Sequence, residues 1–156
     1  MASKYIPLFL DSDGDRAQTS FEGAAITAAN HDATITKMQA IETALQNICL
    51  SKIVASSRVA NYDMNEDPFV PPTDHMAQNN TQARLTFKDT VTQALFTKRI
   101  YGVDLDSFTA QDDRGNWRLD LLAGEGAALK TALDAFVLHP DTGNAAALIS
   151  VVQIEN

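Results

Sequence analysis

In the run DSDGDRAQTSFE, residues 11 to 22, Asp11, Asp13 and Asp15 alternate and Glu22 falls eleven residues after the first. Alternating carboxylates are what a calcium loop needs, because the ion takes several oxygen ligands from every second position of a short loop and a last one from a closing Glu. Those positions here hold Asp11, Asp13, Asp15, the backbone carbonyl of Ala17, Thr19 and Glu22. Against this, Arg16 stands where the sharp turn calls for glycine, and its side chain disfavours that backbone. The segment entering the loop also reads as a strand, where an EF-hand needs a helix. Asp and Gly are ordinary turn formers. We read an acidic turn leaving a strand, with a calcium- or ligand-binding module built on Asp11, Asp13, Asp15, Thr19 and Glu22 as the alternative.

Other reactive side chains are scattered. His31, His75 and His139 stand alone, and no pair has the one-turn spacing of a zinc-binding helix. Cys49 is the only cysteine, so no intrachain disulfide forms, and its apolar neighbours in LQNICLSKIV suit a buried structural thiol. There is no G-x-S-x-G elbow, P-loop or dinucleotide fingerprint. The helix opening AGEGAA (123–128) could meet an anion but lacks the lysine of a P-loop. Asp104, Asp106, Asp112 and Asp113 fit turns and strand ends, and Asp89 is placed to pair with Lys98 across a hairpin. No His–carboxylate or Ser–His pairing emerges, so neither catalysis nor a cofactor is expected.

These residues must be carried by a chain of 156 residues with a net charge of −8. The length suits one domain, 1–156. The field of an acidic surface repels nucleic acid and anionic lipid, so no nucleic acid and no membrane are expected as partners. The apolar run at the N-terminus is too short for a signal peptide or a membrane span, which places folding in a cytoplasm.

Periodicity supplies the elements. YIPLFLD (5–11) reads as a strand with Pro7 at an edge or start, and residues 14–32 as loop with a helical turn. Ile35, Met38, Ile41, Leu45 and Ile48 form the stripe of a helix from Asp32 to about Ile48. Residues 50–63 alternate as a strand. ARLTFKDTVTQALFTKRIYGVDL is a hairpin turning at DTVTQA, and DSFTAQDDRGNWRLDLL is a second turning at DDRGN. In that second hairpin Trp117, Leu119 and Leu121 share a face. GEGAALKTALDAFVLHP is a helix with Leu129, Leu133, Phe136 and Val137 as its stripe, stopped before Pro140. ALISVVQIEN is a final strand, apolar enough for the middle of a sheet. Antiparallel runs with two helices give an α+β class, a two-layer fold with a mainly antiparallel sheet and both helices on one face.

Residues 64–82 have no period and hold three prolines and three asparagines. A loop of that length in a compact domain is usually functional. Phe69, Val70, Pro71 and Pro72 within it read as a partner-binding arm. With YIPLFLDSDGD, the hairpin ARLTFKDTVTQALFTKRIYGVDL and the tail ALISVVQIEN, the chain resembles the small accessory structural proteins of bacteriophage virions, of the decoration, neck or tail type. That resemblance implies a non-enzymatic homo-oligomer without cofactor, assembled in the host cytoplasm into a virion. Its partners would be itself and other virion structural proteins, met through strand edges and the 64–82 arm. No residue role is carried over from it.

Overall fold

The computed structural model describes residues 5–12, 16–24, 27–49, 54–57 and 82–154. Strand β1 (Tyr5–Ser12) folds back on β2 (Arg16–Ala24), with Pro7 opposite Glu22 and Asp11 opposite Ala17. Residues 16–24, expected as loop, are therefore strand. Their small, polar composition carries weak β-propensity, and pairing with β1 decides the outcome. Phe21 is the one large apolar side chain there and is fully buried. Helix α1 (His31–Gln46) matches the expected stripe, with Met38, Ile41 and Leu45 facing inward and Ile48 buried just beyond its end. Asn30 is its N-cap residue by position but makes no side-chain cap; instead its Oδ1 accepts from the Thr27 N–H at 2.7 Å. Strand β3 (Val54–Ser57) lies inside the expected 50–63 strand and pairs with β1, giving a three-stranded sheet in the order β2-β1-β3. β1 is thus the central strand, and Pro7 sits outside the stretch, Leu8 to Asp11, that pairs with β3.

The first expected hairpin is β4 (Gln82–Asp89) and β5 (Leu95–Tyr101). Its register sets Leu85 opposite Lys98 and Phe87 opposite Phe96. The second is shorter than expected, with β6 (Ala110–Gln111) and β7 (Trp117–Arg118) of two residues each around Gly115 at φ 82°. Helix α2 (Gly124–Asp134) follows, then strand β8 (Ala146–Ile154). The five-stranded order β5-β4-β8-β7-β6 puts β8 in the middle, where its apolar run belongs. All pairings are antiparallel.

Both helices and β2 cover the same face of this sheet, so the fold is α+β with its helices on one side. The inward residues Ala83, Leu85 and Phe87 of β4, Ile100 of β5, and Ala146, Leu148 and Val151 of β8 meet Leu129 and Leu133 of α2 in one core. Phe21 meets Phe87 edge-on at 5.8 Å, and Phe87 stacks on Phe96 at 4.9 Å. Gly23 lies so close to the Phe136 ring that a Cβ there would overlap it. Trp117, expected beside Leu119 and Leu121, keeps 46% of its surface in solvent.

Candidate interaction surface

The hairpin of β1 and β2 decides where the acidic run lies. Asp11 sits near its tip, opposite Ala17, whereas Glu22 sits opposite Pro7. Five residues of extended strand separate Ala17 from Glu22, about 17 Å at ~3.4 Å per residue. One ion with oxygen ligands at about 2.4 Å does not span that distance. Thr19 is paired with Leu10 inside the strand, and Asp13 and Asp15 lie outside the described residues. The arm residues Phe69, Val70, Pro71 and Pro72 also lie outside them. Among the described residues, no three His, Cys, Asp or Glu side chains converge as a metal site.

Glu22 belongs to a different group. Its backbone carbonyl accepts the Leu138 N–H at 2.9 Å, which ties β2 to the segment between α2 and β8. Its Oε2 is buried without a hydrogen-bond partner among the described residues. Burial raises the Glu22 pKa; Lys98 opposes that shift, Asp141 adds to it and His139 opposes it. Burial in turn lowers the pKa of Lys98, against the attraction of Glu22. His139 is buried, its Nδ1 accepts from the Asp141 N–H at 3.1 Å, and its ring meets Phe96 edge-on at 5.0 Å. Because Nδ1 accepts, the proton of the neutral ring sits on Nε2. Glu22 and Lys98 thus share a half-buried seam between β2 and β5 in which the cost of burial outweighs their attraction.

Asp89 does not pair with Lys98, because Lys98 stands opposite Leu85 while Asp89 ends β4. Its buried carboxylate accepts from the Val91 and Thr92 N–H groups, at 2.7 and 3.0 Å, and from the side chains of Thr142 and Asn144. Burial alone would raise its pKa, but these donors outweigh it and hold the carboxyl below the usual range. Asp104 and Asp112 close local turns on Asp106, Arg114 and Asn116 N–H groups, which is the structural role expected of them. Burial pushes the Cys49 thiol up to about 12, which removes its thiolate character at neutral pH.

The surface is more informative than these groups. Trp117 and Leu105, both exposed, line a shallow cleft of about 590 Å³ with Phe108 and Gln153. A neighbouring cleft of about 300 Å³ carries Leu122, 92% exposed, and Ile149, 45% exposed. Both open beside β7, the two-residue strand near one end of the five-stranded sheet. A third hollow, between α1 and α2, is floored by Ala40, Ala44, Ala127 and Ala128. The sequence set Trp117 on one face with Leu119 and Leu121; Leu119 is buried there, whereas Trp117 is exposed. Among the described residues, no helix is long and apolar enough to cross a membrane. No protein-family model, no curated protein and no solved structure matches the chain.

Proposed function

We propose that the chain is a non-enzymatic structural component, present in several copies in a larger assembly of the kind found in a virion's capsid, neck or tail. The observation that carries this reading is the pair of clefts beside β7, where Trp117, Leu105, Leu122 and Ile149 leave large apolar surfaces in water. Scattered exposed apolar residues are normal, but neighbouring ones around a sheet end mark contact surfaces. The resemblance to phage accessory proteins and the Phe69–Pro72 arm support the same reading from the sequence.

Light scattering on the purified chain tests it. The expected result is a mass above 16.9 kDa that grows with concentration, reduced by Trp117→Ser together with Leu122→Ser. A monomer at every concentration would overturn self-association. Deleting residues 65–80 tests the arm separately: assembly should fall while the circular dichroism spectrum of the folded chain persists.

A further inference from the structure

The outer face of the five-stranded sheet, opposite the helices, carries the opposite charge to the molecule as a whole. Alternation sends Leu85, Phe87 and Ile100 inward, so Arg84, Thr86 and Lys88 of β4 and Thr97 and Arg99 of β5 point outward. Arg84 stands directly opposite Arg99 on one side and Val152 on the other, and Val152 stands opposite Arg118 of β7. Arg99, Arg84 and Arg118 therefore lie in one row across four adjacent strands. The next row is Thr97, Thr86 and Ser150, all hydroxyls, and Lys88 lies one row further. These four cations are a third of the 12 Lys and Arg in a chain with 20 Asp and Glu.

No outward strand position in these rows is acidic. The three arginines are exposed, and among the described residues none of the four cations is in an ion pair. Like charges directly opposite each other on a sheet destabilise it. The Arg84–Arg99 pair is therefore a burden on the isolated chain that a bound anionic surface would relieve.

We infer that this basic face receives the acidic end of a second copy of the same chain. That end is the cleft of about 490 Å³ at the start of α2, lined by Asp104, Asp106, Asp120 and Glu125 and by no cation. Its four carboxylates outweigh the roughly half positive charge of the helix N-terminus. Two copies cannot meet face to face through the sheet, because arginines would oppose arginines. The contact is head to tail, and such heterologous contacts build rings or open chains. The acidic field of the whole chain and the lack of an aromatic among the described outward side chains favour a protein partner over nucleic acid. The inference rests on the self-association reading and names the charged surfaces that mediate it.

A charge-swap experiment tests it. One variant carries Arg84→Glu and Arg99→Glu, the other Asp106→Lys and Glu125→Lys; all four positions are exposed, and circular dichroism checks that each variant folds. Sedimentation velocity is run at about 20 mM and about 500 mM NaCl, salts that span weak and strong screening. The wild type should associate at low salt and weaken at high salt. Each variant alone should associate about tenfold more weakly or worse, and an equimolar mixture should recover heterodimers, since each then offers the sign the other lacks. If the wild type associates but the variants do so equally well, or the mixture recovers nothing, the face is not the contact, while self-association stands. If the wild type is monomeric throughout, self-association itself fails. A labelled DNA or RNA oligonucleotide bound by the wild type and released by Arg84→Glu with Arg99→Glu would overturn the protein partner in favour of nucleic acid.

Discussion

Lys130 and Asp134, one turn apart on α2, meet at 2.7 Å and between them take both backbone hydrogen-bonding groups of Leu148. Lys130 Nζ donates to the Leu148 carbonyl at 2.9 Å, and Asp134 Oδ1 accepts the Leu148 N–H at 2.7 Å. Strand β7 is too short to pair along the whole of β8 and reaches it at Arg118–Val152. The helix ion pair therefore occupies the edge of β8 that β7 leaves open. An unpaired edge is a template for adventitious strand addition, and here two side chains close it.

Asp134→Ala should strip the partner from the Leu148 N–H and leave Lys130 without its counter-ion. Both side chains keep about a third of their surface in water, so the ion pair itself contributes little. Most of the loss comes from the backbone bond, about 1 kcal/mol in all, read as a lower midpoint in urea. The variant should also aggregate more readily on agitation than the wild type. An unchanged aggregation rate would show that the edge needs no cover.

Asp89→Asn should lower the thermal midpoint, because a neutral amide accepts more weakly than a carboxylate from Val91, Thr92, Thr142 and Asn144. The pH dependence follows from the depressed carboxyl. An acid whose pKa is lower in the folded chain stabilises above its unfolded value, about 3.9, and the gain is lost as pH falls through the folded value. Acid titration followed by fluorescence of Trp117 should give a shallower loss of stability below about pH 4 in Asp89→Asn than in the wild type. Equal slopes would place the acid-sensitive group elsewhere.

Glu22 acts in the opposite sense. Its pKa is raised on folding, so the folded chain holds the proton more tightly, and stability falls as pH rises from about 4.3 through the folded value. Glu22→Gln should remove that fall, read from urea midpoints between about pH 4 and pH 7. Lys98→Met should raise the Glu22 pKa further, visible in the carbon-13 shift of its carboxyl, because the favourable charge is gone. A Glu22 carboxyl that titrates identically in Lys98→Met would show that the two do not interact.

Gly126→Ala should destabilise by about 1–3 kcal/mol, the range for overpacking a closed contact, despite alanine's higher helix propensity. A Cβ at Gly126 would overlap the backbone carbonyl oxygen of Asp120, which has no rotamer with which to yield. Chemical denaturation measures this, and a stability at or above wild type would mean that the α2 start shifts freely.

The elements with dense apolar spacing were legible in the sequence. Ile41, Leu45 and Ile48 declared α1, Leu129 and Leu133 declared α2, and Leu85 with Phe87 declared β4. Strand β2 was hidden because Phe21 is its only large apolar residue, and its partner β1 supplies the reason to extend. The Arg99–Arg84–Arg118 row was hidden for another reason. Each arginine shows in its own strand as an outward position, but the row exists only once the β4–β5 hairpin, β8 and β7 are set in register. The separation of Asp11 from Glu22 is of the same kind, since spacing along the chain matched a loop while the hairpin drew the two apart.

Strand β8 is the middle strand of five although it is the last described element. Synthesis delivers the chain from its N-terminus, so the β4–β5 hairpin, the β6–β7 hairpin and both helices leave the ribosome before the strand that joins them. Until β8 emerges, Leu85, Phe87 and Leu129 have no complete seat, and the nascent chain displays them to the cell. The emergence of β8 therefore locks the sheet, which makes the growing chain a natural client for chaperones and gives a stall or truncation near residue 146 an outsized effect on yield.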